Sequence, residues 1–295
     1  MKKYSKLIIA AAALCGLLLT CAGALHMGRA VSTAARCVAA EPVKMVILMY
    51  HSVNSRESRS GDYVITPAAL RCDLAYLQKE GYSTITMTEL INFVHEGTPL
   101  PEKPVMLTFD DGYYNNYLNA FPLLKEYNAK AVISIIGAET DKYSAIDENN
   151  QNYSHLTWEQ IKEMQESGLV EFQNHGYNMH KQNGERVGAT CMKGECAADY
   201  RKALTDDIEK LQTRYTEMTG RTPNTYTYPF GRVSRESYPV ITKLGFAASL
   251  DVQSRLYIAT PGDERCLYRI PRYNRTAATT ARAIMEKAFV KGKKG

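Results

Sequence analysis

Thr108-Phe109-Asp110-Asp111-Gly112 follows the apolar run Val105-Met106-Leu107, and the reading of that junction decides the fold. The run reads as a buried strand. Side chains one residue apart on a strand point to opposite faces. Asp110 and Asp111 therefore line one pocket only if the strand ends before them and Gly112 opens a turn. Like charges this close raise one carboxyl pKa unless a cation absorbs the charge. Alone, Asp-Asp-Gly also reads as an ordinary solvated turn, so the rest of the chain has to decide.

Outward from this junction, strands and helices alternate. Residues 45–50 form a continuous apolar strand, as parallel sheets require. Thr66-Pro67 opens a helix with Leu70, Leu74 and Leu77 on one face and a stop at Gly81. Residues 82–87 are expected as a strand, 88–95 as a helix ended by Gly97, and 104–109 as the third strand. A helix over 115–127, with a kink near Pro122, leads to a strand over 131–136. Thr157-Trp158-Glu159-Gln160 is a capping box for a helix ending at Gly168, followed by a strand over 169–173. A long helix over 200–219 carries Leu204, Ile208, Leu211 and Tyr215 on one stripe. Strands over 224–228, 246–250 and 267–270 and helices over 235–244 and 280–289 complete the chain. This alternation predicts a parallel barrel or a doubly wound sheet. The polar residues favour the barrel: His51, Asp110, Asp111, His175 and Tyr228 each follow a predicted strand, as at a barrel's carboxyl rim.

The chain's 295 residues suit one large domain or two small ones, and 45% apolar content supplies a sizeable core. The formal charge of +5 is misleading. Lys2, Lys3, Lys6, Arg29 and Arg36 lie in a first stretch of 40 residues that holds no Asp or Glu. Removing those five from the 36 Lys and Arg leaves 31, matching the 31 Asp and Glu, so the body is neutral and no nucleic-acid partner is expected. The basic start, the apolar stretch 7–25 and Ala22-Gly23-Ala24 read as an export signal with its cleavage site, or as a retained membrane anchor. Residues 26–42 read as a tether and 43–295 as the folded domain. The expected location is secreted or extracytoplasmic. Export permits disulfides, so Cys191 and Cys196 read either as a bridge or as two free thiols.

The second constellation is Gln173-Asn174-His175-Gly176-Tyr177-Asn178-Met179-His180. Histidines five apart do not share a helix face, so they need a loop that folds back. Joined to a rim carboxylate they make a His₂Asp set with open positions, the pattern of a catalytic zinc site. No thiolate belongs to the set, which leaves cobalt, manganese or nickel as further candidates.

Thr108 to Gly112 together with His175 and His180 resembles the NodB-type polysaccharide deacetylases, carbohydrate esterase family four. The branch with the poly-N-acetylglucosamine deacetylases has the same histidine spacing. Leu48 to Val53, Tyr226-Thr227-Tyr228-Pro229-Phe230-Gly231 and Arg269-Ile270-Pro271-Arg272 resemble that branch's first strand, groove-wall motif and closing strand. The resemblance covers about residues 43–290, with its core motifs from residue 104 onward, and implies a distorted, incomplete (β/α) barrel. It also implies metal-dependent removal of N-acetyl groups from a GlcNAc-containing envelope polysaccharide. Asp110 is then the general base, and Asp111, His175 and His180 hold one divalent ion. Tyr228, Pro229, Tyr177 and Arg272 are placed at the substrate, and a backbone N–H near Tyr228 at the oxyanion.

Three departures stand out. The family's late Leu-x-His acid is missing, since no histidine follows His180; His51 takes that role, as in the related branch. Gly176 stands where the family usually has Ser or Thr, and Asn174 is left to steady the loop. The arginine that usually precedes the groove-wall proline is absent, which leaves Arg269 or Arg272 to orient Asp110. The alternatives are a non-catalytic sugar-binding protein on the same fold, an O-deacetylase of another glycan, and a glycosidase using Asp110 and Asp111 as paired acids.

Overall fold

The computed structural model describes residues 41–182 and 186–291. Strand β5 (Pro104–Phe109) is buried throughout and stops one residue short of Asp110. Strand β1 (Val43–Tyr50) lies parallel to it, from Val46 beside Val105 to Tyr50 beside Phe109. Beyond β5 follow β6 (Ala131–Ile135), β7 (Val170–Asn174), β8 (Thr225–Thr227) and β9 (Ala248–Leu250), all parallel. Three short strands complete a nine-stranded sheet. They are β4 (Ser83–Thr84) beside β5, β10 (Tyr257–Ala259) antiparallel to β1, and β11 (Tyr273–Asn274) parallel to β1. A single bridge between Leu250 and Ile270 joins β9 to the segment that leads into β11. The sheet thus curls towards closure without completing it, which is the distorted, incomplete barrel expected. A separate pair, β2 (Ser52–Val53) and β3 (Val64–Ile65), follows β1.

The strands read as apolar runs because both faces are covered. Val46, Leu48, Tyr50, Val105, Leu107 and Phe109 pack outward against helices, including α1 (Pro67–Lys79), α3 (Phe121–Glu126) and α5 (Trp158–Glu166). Met45, Ile47, Met106, Val132, Leu250 and Ile270 join a second cluster with α2 (Met87–Glu96). Local chemistry sets the helix starts: Thr66 caps α1, and complete capping boxes open α2 (Thr86 with Glu89) and α5 (Thr157 with Gln160). A buried carboxylate ties the first helix to the start of the last one. Asp73 of α1 accepts from Arg275 Nε at 2.7 Å, from Tyr50 Oη at 3.2 Å and from the Ala281 N–H at 2.9 Å, where α8 (Ala281–Lys291) begins.

Several expectations change. The strand over 82–87 shrinks to β4 because Thr86 is taken as a helix cap. No strand spans 267–270. A 3₁₀ turn (Glu264–Leu267) leads to Arg269 at φ 58°, and Pro271 has no N–H for a ladder. Pro122 sits at the start of α3, after a π-helical turn over Asn116–Ala120. Helix α4 (Gly137–Ile146) has no apolar stripe to announce it and buries only Gly137, Thr140 and Tyr143. Cys191 and Cys196 are free thiols, and the Cys196 sulfur caps α6 (Ala197–Thr219) by accepting from the Asp199 N–H at 3.4 Å. The expected leader and nearly all of the tether lie outside the described residues. Among the described residues, no helix is long and apolar enough to cross a membrane.

Candidate active site

The turn after β5 is built for two carboxylates. Asp111 adopts φ 72°, a left-handed conformation uncommon outside glycine, and Gly112 follows at φ 66°. A Cβ on Gly112 would come within 2.8 Å of Ile135 Cγ2, so no other residue fits there unchanged. His155 Nδ1 lies 2.9 Å from the Asp111 carbonyl oxygen and holds the turn from outside. The backbone reversal separates the two carboxylates: Asp110 faces a buried arginine and Asp111 faces the histidines.

Asp111 Oδ1 lies 3.1 Å from His180 Nε2 and 3.4 Å from His175 Nε2. One donor atom from each of the three residues falls within 4.8 Å of the others. His175 Nδ1 sits 2.8 Å from the Thr227 carbonyl oxygen. That contact makes Nδ1 the protonated nitrogen and turns the Nε2 lone pair towards Asp111. Asp111 Oδ1 is buried and has no hydrogen-bond partner among the described residues. A buried carboxylate oxygen without a donor, facing two imidazole nitrogens, is a donor set that fits a divalent cation. Burial opposes the charge on Asp111, yet the neighbouring His175, His51 and His180 hold its carboxyl well below the usual range. Burial and the nearby His175 bring His180 down to about 4.

Asp110 is buried, which alone would raise its pKa; the Arg272 guanidinium outweighs this and holds the carboxyl below its usual value. The pairing is bidentate, with Nη1 to Oδ1 and Nη2 to Oδ2 both at 2.7 Å. Arg272 Nε donates to the Asp251 carbonyl at 2.9 Å, and Arg272 is fully buried. Arg272 therefore orients Asp110, and its expected substrate contact is withdrawn because no face of it is open. Arg269 pairs instead with Asp251 at 3.0 Å.

His51 directly follows β1, and the Asp110 N–H donates to the Tyr50 carbonyl at 3.0 Å, so the two rim positions are neighbours. Asn116, on the π-helical turn, donates to the His51 carbonyl at 2.8 Å. His51 Nδ1 is buried with no partner among the described residues. Burial lowers the His51 pKa, although Asp111 and Asp110 both act to raise it.

The expected substrate contacts also move. Tyr228 and Pro229 are buried; the Tyr228 hydroxyl is 2.9 Å from Ser237 Oγ and its N–H is used by the Leu250 carbonyl at 3.3 Å. Tyr177 packs between α4 and α6, with its hydroxyl donating to Asp141 at 3.1 Å. Aromatic residues that reach the site include Tyr113, 4.8 Å from the His155 ring, Phe230, whose ring centroid is 4.1 Å from that of His180, and Tyr63, which meets His51 edge-on at 4.8 Å. Tyr63 is 60% exposed. A cleft of about 190 Å³ opens beside His180, lined in part by Asp111, Tyr113, Glu139, His155, Asn178 and His180.

The loop between the two histidines is fixed by side chains outside it. Asn174 Oδ1 accepts the Gly176 N–H at 2.7 Å. Asp207, on α6, accepts the N–H groups of Tyr177 at 2.8 Å and Asn178 at 2.7 Å. Asn174 was expected to serve here; Asp207 was not, because nothing near the loop in sequence points to it. The same holds for Tyr63, Phe230 and the Thr227 carbonyl, which tertiary folding alone brings to the rim.

Comparison with known proteins shows the family and the fold. The family model for polysaccharide deacetylase matches residues 97–249, more than half of the chain. Poly-beta-1,6-N-acetyl-D-glucosamine N-deacetylase of Escherichia coli K12 is 27% identical over 238 residues, 74% of this chain and 35% of that protein. The chain thus spans about a third of that relative's length. A de-N-acetylase from Aggregatibacter actinomycetemcomitans superposes with a TM-score of 0.70 at 25% identity, over 83% of this chain and 99% of the other. IcaB from Ammonifex degensii gives 0.67 at 25% identity, over 83% and 96%. From the extent of the family match, the chain belongs to the polysaccharide deacetylase family.

Proposed function

We propose that this chain is an exported, metal-dependent N-deacetylase that removes acetyl groups from a GlcNAc-containing polysaccharide of the cell envelope. The observation that carries the reading is the convergence of Asp111, His175 and His180 beside an Asp110 held ionised by Arg272. Both carboxyls lie below their usual range. A glycosidase needs one of its pair raised so that it can act as an acid, so this arrangement speaks against the glycosidase alternative. The E. coli relative's name supports poly-N-acetylglucosamine as the first substrate to try. The basic, apolar first 25 residues support export, either cleaved or retained as an anchor.

Asp111, His175 and His180 would hold the ion, zinc first, with cobalt, manganese or nickel as alternatives. When bound, a divalent ion supplies Lewis acidity, polarising a carbonyl and lowering the pKa of water from about 16 towards about 7. Asp110 takes the proton from the water that attacks the acetamide carbon. The Phe230 N–H replaces Tyr228 as the donor to the developing oxyanion, because the Tyr228 N–H is already bonded. His51 gives a proton to the nitrogen as the C–N bond breaks, leaving acetate and a free amine. Tyr63 offers its exposed ring to a sugar.

Two variants separate these roles. His51→Ala is expected to keep its metal and lose about 10²–10⁴-fold in turnover, the usual worth of a general acid. Because burial lowers the His51 pKa, the alkaline fall of the wild-type rate begins below the ordinary histidine value of about 6.5; in the variant that limb disappears. Near-normal turnover with an unchanged profile removes His51 from the reaction. Tyr63→Ala is expected to raise KM for a polymer about 2–10-fold with little change in kcat, in line with one lost stacking contact. An unchanged KM removes Tyr63 from the substrate path.

The reading itself is tested by measuring acetate and free amine released from a panel of acetylated glycans. Equal amounts of both are expected from a GlcNAc polymer. Acetate without amine indicates an O-deacetylase. New chain ends indicate a glycosidase. Binding without release of either indicates the non-catalytic alternative.

A further inference from the structure

We propose that Asp207 is a positioning residue of the metal site: its carboxylate fixes the loop that sets His175 and His180 on either side of Asp111. The inference rests on the metal reading above and adds a residue that no sequence motif marks. The two histidines belong to a segment with almost no secondary structure of its own, since β7 ends at Asn174. Gly176 has no side chain with which to brace that segment. Asp207 braces it from α6, with Oδ2 on the Tyr177 N–H at 2.8 Å and Oδ1 on the Asn178 N–H at 2.7 Å. Two successive N–H groups on one carboxylate fix the direction of the chain between the histidines.

The brace is itself held rigid. Leu204, Ile208 and Leu211 bury the flanking turns of α6. Asn174 Nδ2 donates to the Ile208 carbonyl at 3.2 Å and to Gln212 Oε1 at 3.1 Å. The same stretch of helix therefore anchors both the entry to the histidine segment and its middle. Gly176 and Asp207 are also matched sterically. Gly176 adopts φ +85°, and a Cβ there would lie 2.9 Å from Asp207 Oδ2 and 4.0 Å from Tyr226 Oη. Any side chain at 176 thus competes with the carboxylate for one space.

The test uses the full chain and zinc, with affinity measured by competition against a chromogenic chelator. Asp207→Ala and Asp207→Asn are each expected to weaken zinc binding by about 10–100-fold, the usual effect of losing a group that orients a ligand. Saturating zinc is expected to restore much of the acetate release, because Asp207 touches neither substrate nor ion. Asp206→Ala, an exposed neighbour on the same helix, is expected to bind zinc like the wild type. Gly176→Ala is expected to weaken zinc binding less in the Asp207→Ala background than alone, since the clash has gone. If Asp207→Ala does not fold, the near-isosteric Asp207→Asn decides. Wild-type zinc affinity in a folded Asp207 variant overturns the inference and leaves the metal reading intact. A wild-type chain that binds none of zinc, cobalt, manganese and nickel overturns both.

Discussion

Asp111→Asn and His180→Ala lose bound metal and acetate release together. Asp111 Oδ1 faces both Nε2 atoms at 3.1 and 3.4 Å and has no other partner among the described residues. Replacing the carboxylate by an amide leaves two neutral imidazoles without an anionic ligand, and removing His180 leaves two donors where a catalytic zinc site has three. The ion's contribution to transition-state charge is several kcal/mol, so turnover should fall by more than about 10³-fold. Elemental analysis and acetate release on the same sample check this. Stoichiometric metal retained by either variant removes that residue from the ligand set.

Arg272→Met changes stability and pH dependence at once. Arg272 and Asp110 are both buried, so removing the guanidinium leaves an uncompensated carboxylate in the core. Breaking such a pair costs about 3–5 kcal/mol, to be read from denaturant unfolding of the metal-free protein. Without the cation, burial is opposed only by the weaker pull of His175 and His51, and the Asp110 pKa rises. A base accepts protons only above its own pKa, so the acid limb of the rate profile should move to higher pH. The wild type behaves in the opposite sense. Its Asp110 pKa lies below the unfolded value of about 3.9. The pair's contribution is therefore fully present above that pH and is lost only as the pH falls through the folded pKa. An unchanged midpoint together with an unchanged acid limb would contradict the role given to Arg272.

The parts of the site legible in the sequence are those that local chemistry dictates. Asp110, Asp111 and Gly112 had to sit at a strand end, and β5 stops at Phe109, with Asp111 and Gly112 both at positive φ. His175 likewise follows β7 directly, and His51 follows β1. The capping box at Thr157 fixed one helix start to the residue, whereas the box at Thr86 went unread and cut short an expected strand.

What stayed hidden depends on partners distant in the chain. Arg272 is 162 residues from Asp110, and the closing segment lacks a regular ladder because of Arg269 and Pro271. Nothing local distinguishes an arginine that will be buried on a carboxylate from one that meets a substrate. Tyr228 and Tyr177 were expected at the sugar because aromatic residues often are. Tyr228 is buried and Tyr177 is half-buried with its hydroxyl on Asp141, and exposed Tyr63 and half-buried Phe230 stand at the rim instead. Asp207 lies on a helix whose apolar stripe was plain, but its role depends on which loop that helix meets.

The central claim is that an ion held by Asp111, His175 and His180 drives the hydrolysis, and titration of the metal-free chain tests it most directly. Protein stripped with a chelator is titrated with zinc while bound metal and acetate release from poly-N-acetylglucosamine are read on the same samples. The expected result is no release at the start, then a rise in proportion to bound zinc that levels off at about one ion per chain. Full acetate release from the metal-free chain would contradict the claim.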